Sequence, residues 1–110
     1  MSRDIQKEID QLVKHNKIFL FMKGTPQGPQ CGFSAQVIQI LNTCGHPYGS
    51  ADVLADPEMR QGIKDYSDWP TIPQLFINGE FIGGCDITTN LYQSGELQAL
   101  LERASKDQKK

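Results

Sequence analysis

The chain has 110 residues, with eleven Lys and Arg against thirteen Asp and Glu and a net charge of −2. That length suits one hydrophobic core and leaves no room for a second domain, and the charge gives no global attraction to nucleic acid or a membrane surface. Three cysteines, at 31, 44 and 85, are an odd number, and no arginine-rich leader or long apolar segment precedes the fold. The expected setting is a reducing compartment: the cytoplasm, or an organelle matrix once a transit peptide has been removed.

In chain order, residues 2–15 carry Ile5, Ile9, Leu12 and Val13 at helical spacing, with Ser2 as N-cap and Asp4 in the first turn, where a carboxylate suits the helix dipole. The run Ile18 to Met22 has no polar alternation, which predicts a central strand buried on both faces. Lys23 to Gln30 contains two glycines and two prolines and reads as a loop. A helix then starts at Cys31, because Phe33, Val37, Ile40, Leu41 and Cys44 share one helical face. Gly45 suits the helix end and His46-Pro47 blocks its continuation.

Tyr48 to Leu54 reads as a weak strand, since Gly49, Ser50 and Ala51 have poor strand propensity, and it belongs at a sheet edge. Asp56-Pro57-Glu58 supplies a cap, a proline at the first helical position and an acid in the first turn. Met59, Ile63 and Tyr66 mark that helix's buried face, with Arg60 and Lys64 on another. Trp69 to Pro73 is a stiff connector, and Asn78-Gly79 between Leu75-Phe76-Ile77 and Glu80-Phe81-Ile82 predicts a hairpin. Gly83-Gly84-Cys85-Asp86 leads into a short helix with Ile87 and Leu91, which Ser94-Gly95 interrupts. A last helix buries Leu97, Leu100, Leu101 and Ala104, and residues 105–110 form a polar tail expected to be disordered. The order α-β-α-β-α-β-β-α makes one α/β domain over 1–110: a four-stranded mixed sheet flanked by helices, with a right-handed crossover between its first two strands. This is the thioredoxin-like arrangement.

The chemistry converges on Cys31-Gly32-Phe33-Ser34, where a strand gives way to a helix. Unpaired amides at a helix N-terminus favour thiolate over thiol, so Cys31 should be reactive. The spacing is that of a dithiol motif with serine in place of the second cysteine. Ser34 cannot resolve a mixed disulfide, since its hydroxyl is neither ionised nor redox-active. Cys44, on the apolar helix face, reads as a small buried hydrophobe. A zinc site from Cys31, Cys44, His46 and His15 lacks any standard ligand spacing.

Three separated motifs together resemble the monothiol glutaredoxins of the C-G-F-S type: Lys23-Gly24-Thr25-Pro26 with Cys31-Gly32-Phe33-Ser34, Trp69-Pro70-Thr71-Ile72-Pro73-Gln74-Leu75, and Gly83-Gly84-Cys85-Asp86. The likeness covers nearly the whole chain and departs at Gly49, Ser50 and Ala51, where the family carries bulkier residues. What it implies is glutathione binding and a [2Fe–2S] cluster bridged between two subunits by Cys31, in iron–sulfur cluster assembly and transfer. Lys23 and Arg60 would hold the glycyl carboxylate of glutathione, with Lys64 able to assist. The main chain of Ile72, before a cis Pro73, would pair with the peptide. Gly84, Cys85 and Asp86 would receive the far end through helix-start amides and one carboxylate, a role compatible with Asp86 as an ordinary N-cap. Four thiolates for the cluster come from two Cys31 and two glutathiones, hence a homodimer when it is bound. Apo iron–sulfur proteins, and a BolA-type protein, would be partners. The competing expectation is an oxidoreductase that reduces protein–glutathione mixed disulfides with Cys31 alone. The loop Thr25-Pro26-Gln27-Gly28-Pro29 favours the carrier, because in the resembled family it marks cluster carriers.

Overall fold

Residues 3–106 are described by a computed structural model. Helix α1 (Ile5–His15) leads to strand β1 (Ile18–Met22), then a small ribbon of β2 (Gly24–Thr25) and β3 (Gly28–Pro29). Helix α2 (Gly32–Cys44), strand β4 (Gly49–Asp52), helix α3 (Pro57–Ser67), strands β5 (Gln74–Ile77) and β6 (Glu80–Gly83), and helices α4 (Cys85–Ser94) and α5 (Glu96–Lys106) complete the chain. The main sheet has the order β4-β1-β5-β6, with β1 parallel to β4 and antiparallel to β5. It is the mixed sheet expected, with the weak strand β4 at one edge.

The unbroken apolar run of β1 is explained by the two layers it feeds. Ile18, Leu20 and Met22 point into a core shared with Val37, Ile38 and Leu41 of α2 and Leu97 and Leu101 of α5. Phe19 and Phe21 point the other way, against Ile9 and Val13 of α1 and Met59 and Ile63 of α3. Alternate side chains of one strand thus enter two cores, and both faces exclude water. Gly49 of β4 has little room for anything larger: a Cβ there would stand 2.9 Å from Cδ1 of the Phe19 ring.

Several local details differ from expectation. Asp4 is the N-cap of α1 and accepts the Lys7 amide at 3.1 Å, while Ser2 lies outside the described residues. Strand β4 is shorter than residues 48–54. The presumed loop after β1 is an antiparallel ribbon, Gly24 opposite Pro29 and Thr25 opposite Gly28. Its two-residue strands are too short to leave any periodicity. Ser105 and Lys106 continue α5 instead of beginning a tail, and residues 107–110 lie outside the described part.

Arg3 holds the two N-terminal helix starts together on one face. Its guanidinium meets Glu8 at 2.7 Å, Asp56 at 2.8 Å and Glu58 at 3.2 Å. Asp56 is itself the N-cap of α3 and accepts the Met59 amide. No helix among the described residues is long and apolar enough to cross a membrane.

Candidate functional site

Cys31 is the N-cap of α2, with extended backbone (φ −150°, ψ 136°), and is half-buried. Its side chain closes no full capping hydrogen bond. The thiol is nonetheless drawn below the ordinary cysteine range, foremost by the backbone amide of Ser34; burial opposes this, and the Phe33 amide, the Lys23 charge and the Ser34 hydroxyl add to it. The field of a helix start therefore acts on the sulfur without a close bond. The other two thiols move the opposite way. Burial raises Cys44, which packs against the core of α2 and α5. Burial also raises Cys85, with the charges of Asp86 and Cys31 adding to it and the Thr89 hydroxyl opposing.

A cavity of roughly 230 Å³ lies between Phe33, two residues on from Cys31, the Trp69–Pro73 connector and the start of α4, where Cys85 feels the Cys31 charge. Thr71, Ile72, Gly84, Cys85 and Asp86 are on its walls. The Ile72–Pro73 peptide is cis. Ile72's main chain takes part in none of the hydrogen bonds between described residues. Gly84 lets α4 approach this connector closely, since a Cβ on it would stand 3.2 Å from the Pro73 carbonyl oxygen. Gly84, not Asp86, is the N-cap of α4; Asp86 is exposed in the first turn.

The fold brings Ile72, Cys85 and Asp86 to one cavity and sets the Lys23 charge against Cys31. Arg60 does not join them on the cavity wall: it is exposed on α3. Lys64, one turn on, is half-buried in a shallow depression with Trp69 and Pro70.

Three contributors escape a reading by residue type. Phe33 was expected on the buried helix face, yet it is 62% exposed and walls the cavity. The buried face runs through Ser34, Val37, Ile38 and Leu41, one position out of phase with Phe33. Ser34 is fully buried, and its Oγ accepts the Lys23 amide at 3.1 Å. Gln74, also fully buried, donates Nε2 to the carbonyls of Trp69 and Thr71 at 3.1 Å each, which fixes the connector. A polar residue opening an otherwise apolar strand, Gln74-Leu75-Phe76-Ile77, was the available signal for it.

The glutaredoxin family matches residues 18–82. An uncharacterized ycf64-like monothiol glutaredoxin of Synechocystis is 61% identical over 104 residues, 94% of this chain and 97% of that one. The chain belongs to the monothiol glutaredoxin family. The mitochondrial monothiol glutaredoxin-5 of Saccharomyces cerevisiae is 50% identical over 107 residues, covering 94% of this chain and 71% of the yeast protein. The solution structure of reduced poplar apo GrxS14 superposes with a TM-score of 0.81 at 51% identity, over 92% of this chain and 93% of the poplar one. For a monothiol glutaredoxin the contrast among the three sulfurs is the key property. One thiol is activated at a helix start, and Ser34 fills the place of a second.

Proposed function

We propose that this monothiol glutaredoxin binds glutathione in the cavity beside Cys31 and, as a homodimer, carries a [2Fe–2S] cluster for delivery to apo iron–sulfur proteins. The observation that carries the reading is the sulfur contrast: Cys31 alone is pulled toward thiolate, while burial holds Cys44 and Cys85 toward thiol. Such a cluster takes four thiolates. No group of three or more His, Cys, Asp or Glu among the described residues could hold a metal within one chain. Two Cys31 and two glutathione thiols complete the set, and the donor chemistry fits. When bound, this cargo supplies iron, sulfide and one-electron chemistry.

The cavity walls suit the peptide groups and the far end of glutathione, and Lys23 and Arg60 lie off those walls for its other end. Lys23 and Arg60 are assigned to its glycyl carboxylate, the open main chain of Ile72 to its peptide groups, and the start of α4 at Cys85 and Asp86 to its far carboxylate and ammonium. A second chain is supported by apolar surface around the thiol: besides Phe33, Ile87 is 38% and Trp69 37% exposed. A BolA-type protein would meet the same surface. Cytoplasm and organelle matrix are both consistent with the bacterial and mitochondrial relatives.

Anaerobic reconstitution with iron, sulfide and glutathione tests the reading. About two irons per dimer are expected, with visible absorption that is lost when glutathione is removed. A coloured monomer, or a cluster indifferent to glutathione, would overturn it.

The half-exposed, activated Cys31 also favours a second reading, reduction of glutathione mixed disulfides. There the Cys31 thiolate attacks the glutathione sulfur, the partner leaves as thiolate, and a second glutathione reduces the intermediate to regenerate Cys31 and release glutathione disulfide. Carrier and catalyst ask for different placements of the second thiol, bound beside Cys31 or arriving in line. Efficient delivery to apo-ferredoxin with slow mixed-disulfide turnover is expected; fast turnover without delivery would assign the chain to the enzyme reading.

A further inference from the structure

The main chain at Lys23 is held from two sides by side-chain acceptors. On one side its amide donates to the buried Ser34 hydroxyl of α2. On the other, the next amide, that of Gly24, donates to Asp52 Oδ1 at 2.9 Å. Asp52 ends the edge strand β4, and the same oxygen accepts the Leu54 amide at 2.9 Å. One carboxylate oxygen thus ties the segment before Cys31 to the turn after β4. It stands outside the residues that wall the cavity.

The segment it anchors is tightly closed. Gln30 donates to the Lys23 carbonyl at 2.9 Å, and the β2–β3 ribbon fills the interval between them. Gly24 has φ +93°, and a Cβ on it would lie 2.6 Å from both the Gln30 nitrogen and the Gly28 oxygen, so the closure admits no side chain. The chain leaves β1 through Lys23, runs round this ribbon and returns through Gln30 to Cys31. Moving the Gly24 anchor moves both ends.

We infer that Asp52 is a positioning residue for ligand binding: it acts through the ribbon to hold Lys23 where a carboxylate beside Cys31 can be met. This rests on the proposed function, since Lys23 serves glutathione there. Asp52 accepts the Gly24 and Leu54 amides and forms no ion pair among the described residues, so it works here as a hydrogen-bond acceptor. An asparagine, which keeps one acceptor oxygen, replaces it in that role.

The test uses the full chain with Asp52→Ala, Asp52→Asn, Lys23→Ala and the double variant Asp52→Ala/Lys23→Ala. Glutathione affinity is read by calorimetry and the Gln30 amide by hydrogen exchange. Asp52→Ala is expected to weaken glutathione binding roughly 3- to 10-fold, the scale of one or two net hydrogen bonds, and to speed Gln30 exchange. Asp52→Asn should stay near wild type in both. In the Lys23→Ala background the Asp52→Ala effect on affinity should vanish. Unchanged affinity in Asp52→Ala, or an effect that persists without Lys23, overturns the inference. Wild-type protein without measurable glutathione affinity overturns the functional reading instead, while Gln30 exchange still decides whether Asp52 holds the ribbon.

Discussion

The buried Ser34 Oγ accepts the Lys23 amide in a 3.1 Å hydrogen bond. The serine of the Cys31-Gly32-Phe33-Ser34 motif is therefore a strut between α2 and the segment before the thiol. Ser34→Ala leaves that amide without its acceptor, and a loss of about 1–3 kcal/mol is expected. Urea unfolding measures it, and a variant as stable as wild type would remove the strut from the account.

Lys23→Ala should weaken glutathione binding roughly 10- to 150-fold, as removal of a charge-assisted contact worth about 1.5–3 kcal/mol would. Calorimetric titration checks it. An unchanged affinity would return Lys23 to the solvent-facing charges.

The three cysteines should separate in a pH series of alkylation. Cys31, with its thiol drawn down, should react with a midpoint below that of a free thiol, and Cys44 and Cys85 with midpoints above it. Mass spectrometry of the labelled peptides reads all three at once. Cys31→Ser should abolish cluster retention, whereas Cys44→Ser should keep it and melt a few degrees lower. Cluster retained by the Cys31 variant would mean that the wrong ligand was named.

The Tyr66 hydroxyl donates to Asp10 Oδ1 at 2.7 Å, linking α3 to α1. Burial, then the bond to Asp10 and its charge, push the phenol up to about 12. Against an unfolded value of about 10, its contribution to stability is complete below that pH and lost as pH rises through the folded value. Asp10 is drawn down, foremost by the Tyr66 hydroxyl and then by Lys14. Its contribution is present above its unfolded value and disappears as pH falls through the lowered one. Tyr66→Phe should lower Tm at neutral pH and flatten the alkaline fall. An identical alkaline profile would show that Tyr66 is not the group responsible.

Much of this was legible in the sequence because long elements carry their own periodicity. Ile18 to Met22 announced a strand buried on both faces, and Asn78-Gly79 announced a hairpin whose turn residues do have positive φ, 55° and 84°. Gly45 likewise sits at a left-handed helix end. What was not legible depends on long-range pairing or on phase. The ribbon is specified by two residue pairs and by Asp52, which is 28 positions from Gly24. Choosing apolar residues alone pulled Phe33 onto the wrong helix face, because the phase is set by Ser34, a polar residue made buriable by its own partner. The cavity needed the fold, since its walls come from three distant segments.

Cys31 starts α2 without a side-chain cap, at a position where serine is among the preferred residues. The thiol that makes the site reactive is thus a poor terminator for the helix that activates it. Cys31→Ser should then raise Tm by several degrees, on the order of 0.5–1 kcal/mol, in the same variant that loses the activated thiol. Activity and thermal stability are set against each other at one atom, and selection for heat resistance alone would remove the sulfur.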